Sequence, residues 1–314
     1  MTTAPPTQTA TFLADILAGL RRPQKYLPAK YFYDAAGSRL FDRITELDEY
    51  YLTRTELHIM QRDADRMAAR CGTRCLLVEL GAGSLVKVRL LLDRLHRPAG
   101  YVPVDMSGNH LRAAAGTLVR DYPHLAVLPV CADFTQDFPL PDVAVARRVV
   151  YFPGSTIGNF DSDEVDTLLR RIARLVGRGG GLLLGVDLQK DPHVIEAAYN
   201  DRRGVTAAFN RNLLARINRE LAADFDLDAF RHWAFYNRAR SRIEMHLVSL
   251  SDQRVRIGDV EFRFRAGETI HTENSYKYNL AELNHQAAGS GLRMDDVWTD
   301  ERNYFAVLYF TIDR

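Results

Sequence analysis

The chain has 314 residues, enough for about two domains. Its 41 Lys and Arg against 40 Asp and Glu leave a net charge of +1, which excludes a strong overall field for nucleic acid or acidic membranes. Without an apolar run of about 18 residues or a basic, apolar N-terminus, the sequence predicts neither a transmembrane helix nor a signal peptide, and its three cysteines are typical of a reducing cytoplasm.

The first part of the chain is predicted to be mainly helical. Residues 10–21 form the first predicted helix, and a second begins at Ser38. Thr53 followed three residues later by Glu56 is a capping-box pattern, which predicts a third helix from Thr53 to about Arg70.

Strands and helices alternate from Cys75 to Asp187, a pattern that predicts a doubly wound parallel sheet with helices on both faces. The helices of this segment are expected to begin at Ser84, Ser107 and near Ser162. The expected strands are 76–80, 101–104, 125–130, 148–152 and 181–186.

The alternation stops after Asp187. Helices are expected at 191–200 and 205–222, strands at 242–250, 254–257 and 260–265, a last helix from Asn279, and a closing antiparallel pair at 294–298 and 305–311. We therefore expect an α/β domain of residues 56–189 plus 280–314 and a second domain of residues 1–55 plus 190–279. The active cleft is expected between them, at the carboxyl ends of the parallel strands.

A glycine loop follows the first strand of the predicted sheet. Gly81 and Gly83 allow the backbone to pass close to a ligand. The dinucleotide fingerprint requires a further glycine at position 86, where this chain has Val86. Together with the acidic Glu79 at the strand end, this favours a cationic nucleoside over a pyrophosphate ligand.

Acidic residues also follow the second and third strands. Asp105 is placed to accept hydrogen bonds from a ribose diol. Asp133 is placed to accept from an adenine amino group while Phe134 packs on the base, and Lys87 can pair with a carboxylate. Taken singly, these residues are equally explained as turn residues, a helix cap and a solvated charge. Together they favour S-adenosylmethionine (SAM) over a nicotinamide cofactor.

Substrate-binding residues are predicted after the fourth strand and outside the regular elements. In the uncharged segment 153–159, Asn159 can hold an amine through its carbonyl oxygen, or simply cap the next helix. Tyrosines such as Tyr33, Tyr50 and Tyr199 can offer hydroxyl groups, or pack at a domain interface.

Glu273 and Ser275 alternate along an extended segment and therefore point to one side. A carboxylate paired with a hydroxyl suits a ring with both a donor and an acceptor nitrogen, although a solvated strand face is the commoner explanation. The nine histidines show no metal-ligand spacing such as His-x-x-x-His, so no metal is expected.

The sequence resembles the L-histidine Nα-methyltransferases of ergothioneine biosynthesis, in their stand-alone form, over residues 26–311. The motifs that carry the resemblance are residues 30–38, 40–45, 49–56, 78–83, 131–134, 154–159, 204–212, 242–245 and 272–275.

The resemblance implies a Rossmann-like, class I SAM-dependent methyltransferase domain with a second α+β substrate-binding domain. It implies trimethylation of L-histidine to hercynine, with S-adenosylhomocysteine (SAH) as the second product, by a cytoplasmic monomer that needs no metal, nucleic acid or membrane. Its SAM-binding residues would be Gly81, Lys87, Asp105, Asp133 and Phe134. Its histidine-binding residues would be Tyr50, Gly154, Asn159, Tyr199, Met245, Glu273 and Ser275, with Tyr33 in the same pocket.

Charge suggests how such an enzyme works. The methyl group on the sulfonium of SAM is already activated for transfer. The enzyme therefore mainly has to orient the substrate and bind its amine in the uncharged form. Asn159 and Tyr33 would hold the substrate nitrogen, Tyr50 and Tyr199 the carboxylate, and Glu273 with Ser275 the imidazole. The alternatives are a methyltransferase of another amino acid or of a modified histidine, and a non-catalytic sensor of SAM or histidine.

Overall fold

The computed structural model describes residues 8–83 and 85–312, and the chain divides into two compact units. The first unit comprises Leu52–Lys190 and Tyr276–Arg314, and the second comprises Met1–Tyr51 and Asp191–Ser275. The boundaries expected from the sequence differ from these by at most four residues. Among the described residues, no helix is long and apolar enough to cross a membrane.

The helices and strands are numbered in chain order. The described α-helices are α1 (Gln8–Leu20), α2 (Ala35–Thr45), α3 (Tyr51–Cys71), α4 (Val86–Leu92), α5 (Gly108–Asp121), α6 (Ser162–Val176), α7 (Pro192–Tyr199), α8 (Val205–Leu221) and α9 (Leu280–Ala288). The described strands are β1 (Lys25–Tyr26), β2 (Cys75–Leu80), β3 (Gly100–Asp105), β4 (Val130–Cys131), β5 (Arg147–Phe152), β6 (Gly181–Asp187), β7 (Phe230–Asn237), β8 (Arg242–Ser249), β9 (Gln253–Ile257), β10 (Val260–Phe264), β11 (Thr269–Tyr276), β12 (Leu292–Thr299) and β13 (Phe305–Ile312).

The first unit is built on a seven-stranded sheet with the order β12-β13-β6-β5-β2-β3-β4. Strands β6, β5, β2, β3 and β4 run parallel, and β13 is antiparallel to both of its neighbours. Every residue of β2 and β6 is buried, as expected for central strands covered on both faces. The predicted parallel sheet and its closing antiparallel pair are thereby confirmed.

The third predicted strand, residues 125–130, is only partly formed. Residues around Val127 pair with Tyr101, but the described strand β4 contains only Val130 and Cys131. Pro129 lies between the two pairings, and because proline has no N–H to donate, it interrupts the ladder.

The predicted starts of several helices are wrong. Helix α2 begins before Ser38 because the Asp34 carboxylate accepts the N–H of Gly37 and caps it. Helix α3 begins at Tyr51, so the expected capping box of Thr53 and Glu56 is wrong.

Two further predicted helix starts were Ser107 and Ser84. Ser107 does stand at the N-cap of α5, but its side chain makes no capping hydrogen bond. Ser84, expected to open the helix after the glycine loop, lies outside the described residues, and the described helix begins at Val86.

The second unit contains a four-stranded sheet with the order β1-β11-β8-β7 and a two-stranded sheet of β10 and β9. Strand β7 was not predicted. It pairs antiparallel with β8 along its whole length, from Phe230 opposite Ser249 to Asn237 opposite Arg242. Helix α8 packs against β7 and β8, which places its buried polar residue Asn210 over the sheet.

Candidate active site

The cofactor residues predicted from the sequence meet at the carboxyl edge of the parallel sheet. Gly81 has a φ of +72°, a left-handed conformation that favours glycine, and it directly follows β2. A Cβ atom at Gly81 would lie 3.7 Å from the Phe134 ring. Asp105 is the last residue of β3 and stands opposite Cys131 in β4. The fold thus brings together Gly81, Asp105 and the segment that contains Phe134.

Asp105 and Asp133 at this edge also make local hydrogen bonds. One oxygen of Asp105 accepts the N–H of Ser107 at 2.7 Å. In Asp133, Oδ1 accepts the N–H and the hydroxyl of Thr135, at 2.9 and 2.6 Å. The turn role considered for Asp133 is therefore present, and it fixes the carboxylate beside Phe134.

Lys87 lies in the first turns of α4, and its ammonium group pairs with the carboxylate of Glu56. Glu56 is fully buried, and it also accepts the N–H of Gly154 at 2.9 and 3.1 Å. Gly154 has a φ of +76°, which a residue with a side chain rarely adopts. One carboxylate therefore holds both the lysine predicted for the cofactor and the loop predicted for the substrate.

Glu79 is a buried carboxyl group at the end of β2. The Tyr101 hydroxyl donates to it, but burial dominates and raises the pKa of Glu79 to about 8. Lys87 opposes this shift, whereas the nearby Glu56 and Asp105 add to it. Glu79 is therefore mainly protonated at neutral pH, so it does not supply the negative charge that was expected to favour a cationic nucleoside.

The loop after β5 presents Asn159 without using it as a cap. The buried Ser155 hydroxyl accepts the N–H of Asp187 at 2.9 Å, which ties the loop to the end of β6. Residues Thr156–Asn159 form a short 3-10 helix. Helix α6 is capped by Asp161 together with Glu164, so the alternative role of Asn159 as its cap is wrong.

The predicted tyrosines all belong to the second unit. Rings in edge-to-face contact connect Tyr33 to Phe41, Phe41 to Tyr50, and Tyr50 to Tyr199, with centroid distances of 5.6, 6.2 and 6.3 Å. Tyr50 and Tyr199 are buried, while Tyr33 is 38% exposed. The Tyr199 hydroxyl donates to Ser275 Oγ at 2.7 Å.

Glu273 and Met245 are also buried in this unit. Burial along β11 does not alternate strictly, because Thr272 and Glu273 are both buried and Ser275 is buried after them. The Thr272 hydroxyl lies 3.0 Å from the Met245 carbonyl oxygen, which connects β11 to β8 beside Glu273. The second unit thus contains Tyr33, Tyr50, Tyr199, Met245, Glu273 and Ser275, and the first unit contains Gly154 and Asn159.

Residues 12–312 match the sequence profile of the SAM-dependent, histidine-specific methyltransferases. The chain belongs to this family. Its sheet is accordingly that of a Rossmann-like, class I SAM-dependent methyltransferase, and the methyl donor is SAM. The predicted family, fold and donor are confirmed, and the nicotinamide alternative is wrong.

Three named relatives each match most of this chain. Histidine N-alpha-methyltransferase of Mycolicibacterium smegmatis is 44% identical over 299 residues, which cover 93% of this chain and 92% of the relative. Ergothioneine biosynthesis protein 1 of Neurospora crassa is 29% identical over 89% of this chain but only 32% of its own length. A 4-dimethylallyltryptophan N-methyltransferase of Aspergillus fumigatus is 28% identical over 90% of this chain and 88% of its own.

One group of side chains in this methyltransferase has the composition of a metal site, although no ligand spacing predicted it. Glu244 and His246 on β8 and His271 on β11 offer ligand atoms within 4.8 Å of one another. However, Arg242 pairs with Glu244 at 2.7 Å, and the two imidazole rings stack at 4.8 Å with only 15° between their planes. Nearly parallel rings do not direct their nitrogen lone pairs at one ion, so we assign no metal role to this group.

Two features of the site were missed by the sequence analysis. Glu56 was taken for a capping residue, but its partner Gly154 lies 98 residues away along the chain. Asn210 stands in the motif of residues 204–212, and only the fold shows that its amide contacts three strands. The signal for both was their position inside motifs that carry the family resemblance, residues 49–56 and 204–212.

Proposed function

We propose that this methyltransferase transfers one methyl group from each of three SAM molecules to the neutral α-amino nitrogen of L-histidine, giving hercynine, three SAH and the two protons that leave the nitrogen. The observation that carries the proposal is the buried group of Tyr199, Glu273 and Ser275 in the second unit, in a chain of the histidine-specific family. A carboxylate beside hydroxyl groups suits an imidazole, which has one donor and one acceptor nitrogen.

The cofactor would bind at the carboxyl edge of the parallel sheet. In the proposal, Gly81, Asp105, Asp133 and Phe134 hold the nucleoside, and Lys87 holds the carboxylate of the methionine tail. Asp105 lies at the end of β3, where a carboxylate can accept the ribose hydroxyls. The sulfonium is a good leaving group, so no metal ion enters the proposed reaction.

The substrate would be held as a neutral amine. Asn159 and Tyr33 position its nitrogen, Gly154 and Tyr50 contact the amino-acid end, and Met245 lines the pocket. The hydroxyls of Tyr199 and Ser275, which the sequence analysis assigned to opposite ends of histidine, lie 2.7 Å apart. We therefore assign Tyr199 to support Ser275 in reading the imidazole, together with Glu273. Such a site disfavours other amino acids because they leave its buried polar groups unpaired.

We further propose that the enzyme acts as a monomer in the cytoplasm, without nucleic acid or membrane. A net charge of +1 supports the absence of a nucleic-acid partner. The thiols of Cys71, Cys75 and Cys131 are free, which supports a reducing compartment.

Mass spectrometry of the products tests the function. The purified protein is incubated with SAM and each proteinogenic amino acid in turn. We expect mono-, di- and trimethylated histidine and no other product. Methylation of another amino acid would overturn the assignment of Glu273 and Ser275, and the absence of any product would favour a sensor or a modified substrate.

Replacing Glu273 tests the imidazole assignment. Glu273→Ala removes the buried carboxylate, so we expect histidine to bind at least about tenfold more weakly, since a hydrogen bond to a charged group is lost. Titration calorimetry in the presence of SAH measures this affinity. Glu261→Ala, an exposed carboxylate of the same unit, is the matched control and should leave it unchanged. Unchanged affinity in Glu273→Ala would remove this residue from the substrate site.

A further inference from the structure

The amide of Asn210 connects three neighbouring strands of the second unit. Asn210 is fully buried in α8. Its Nδ2 donates to the carbonyl oxygen of His246 in β8 at 3.0 Å and contacts His232 Nδ1 in β7 at 2.9 Å. Its Oδ1 accepts the hydroxyl of Thr272 in β11 at 2.8 Å. Since both amide hydrogens and the oxygen have partners, the orientation of the amide is fixed.

These contacts also determine the tautomer of His232. Its Nδ1 faces the Asn210 amide nitrogen, which can only donate, so Nδ1 must accept. Its Nε2 lies 2.9 Å from the carbonyl oxygen of Tyr199, which can only accept, so Nε2 carries the hydrogen. Burial, the main influence, lowers the pKa of His232, in agreement with a neutral ring.

Together the contacts form a closed ring of polar groups. From the Tyr199 carbonyl oxygen the ring passes through His232 and Asn210 to Thr272. From Thr272 it follows β11 for three residues to Ser275, whose Oγ accepts the Tyr199 hydroxyl at 2.7 Å. Glu273 lies on this stretch of β11, directly after Thr272. The ring therefore begins and ends on residues proposed to read the imidazole.

We propose that Asn210, His232 and Thr272 are positioning residues, which fix Tyr199, Glu273 and Ser275 in the arrangement that selects histidine. This inference rests on the proposed function. A buried polar ring contributes little stability that apolar packing would not also supply, whereas it fixes one arrangement of the strands. A site that discriminates by hydrogen bonds requires such fixed partners.

The hydroxyl of Thr272 can be removed without changing the shape of its side chain. Thr272→Val keeps the branched side chain that packs in the strand, but removes the one hydroxyl hydrogen that Asn210 Oδ1 and the Met245 carbonyl oxygen share. Thr272→Ser keeps the hydroxyl and loses only a methyl group. The two variants therefore separate the hydrogen bond from the packing.

The experiment measures KM for histidine, kcat, the melting temperature and the dissociation constant of SAH for the wild type and both variants. For Thr272→Val we expect KM for histidine to rise about tenfold, because the substrate groups lose their fixed positions. The affinity for SAH should stay within about twofold, because its proposed residues belong to the first unit. Thr272→Ser should keep KM within about twofold even though its melting temperature falls.

Several outcomes would overturn the inference. One is a Thr272→Val enzyme with unchanged KM and a lower melting temperature, which would make the ring merely structural. Another is an equal rise of KM in both variants, which would exclude the hydroxyl as the cause. A wild type that does not methylate histidine would instead refute the proposed function, so the two failures are distinguishable.

A spectroscopic measurement covers the case in which Thr272→Val does not fold. Nitrogen NMR of the wild-type protein identifies which ring nitrogen of His232 carries a hydrogen. The ring requires a hydrogen on Nε2 and none on Nδ1 at neutral pH. A hydrogen on Nδ1 would break the contact with Asn210 and overturn the proposal.

Discussion

Burial changes the pKa of single residues at the carboxyl edge of the parallel sheet, and Glu79 is the clearest case. The side chain is 2% exposed, and its hydrogen bond from Tyr101 does not compensate for the loss of water. Its pKa of about 8 lies above the usual value of 4.5. The unfolded chain ionises this group at low pH, whereas the folded protein keeps it protonated until about pH 8. Glu79 therefore lowers the stability of the fold increasingly as the pH rises between these two values.

Glu79→Gln should remove this dependence. The amide oxygen can still accept from Tyr101, and no charge needs to be buried. We expect the variant to gain stability over the wild type as the pH rises from about 5 to about 8, by up to about 1.4 kcal/mol for each unit of altered pKa. Urea unfolding at both pH values measures the difference. The exposed Glu301→Gln is the control; a constant difference between Glu79→Gln and the wild type would contradict the prediction.

At the residue scale, the sequence predicted which residues lie together at the carboxyl edge of the parallel sheet better than it predicted which side chains pair. Gly81, Asp105 and Phe134 follow successive strands, and the carboxyl ends of parallel strands share one edge, so their proximity was predictable. The pairing of Lys87 with Glu56 was not. It joins two helices through side chains, and no local spacing encodes such a contact.

At the scale of elements, Gly185 allows β6 and α3 to pack closely. A Cβ atom at Gly185 would overlap Glu56 Oε1. Gly185→Ala should therefore push the carboxylate away from Lys87 and Gly154. We expect a loss of about 1–3 kcal/mol in unfolding free energy and at least about tenfold weaker SAH binding, measured by urea titration and calorimetry.

Gly116→Ala is the matched control for this variant. Gly116 lies in α5, and a Cβ atom there would have no neighbour within 4 Å. Alanine is the better helix former, so this change should stabilise the protein by about 0.5–1 kcal/mol. If SAH binding were as strong in Gly185→Ala as in the wild type, the position of the Glu56 carboxylate would not matter for cofactor binding.

Elements were predictable where burial imposes a simple pattern. The central strands are continuously apolar, and the repeat of strand and helix gave the parallel sheet. Strand β7 escaped because its sequence, Phe230–Asn237, mixes charged and aromatic residues, and only its first and fifth residues are buried. Its pairing with β8 supplies the order that its own pattern does not indicate.

At the scale of the whole molecule, a buried group of charges lies in the first unit where the chain passes to and from the second unit. The chain leaves this unit after Lys190 and returns at Tyr276. Both passages adjoin Asp187, which is fully buried and pairs with Lys190 at 2.5 Å and with Lys277 at 2.9 Å. Two buried ammonium groups thus share one carboxylate. Burial, the largest influence, lowers the pKa of Lys190 to about 8, although Asp187 opposes the shift.

Asp187→Asn should be strongly destabilising because it leaves both lysines without this counter-charge. We expect a loss of about 3–5 kcal/mol in unfolding free energy. Without Asp187, the pKa of Lys190 would fall further. A lysine whose pKa is lowered by folding destabilises the folded protein at every pH at which the same lysine is protonated in the unfolded chain. The loss should therefore be larger at about pH 6 than at about pH 9. Urea unfolding at both pH values measures it.

Asp191→Asn, at the same passage, should change little, because asparagine also accepts the N–H of His193 that Asp191 now accepts. Equal stability of the two variants, or a loss independent of pH, would show that Asp187 does not compensate the charge of these lysines.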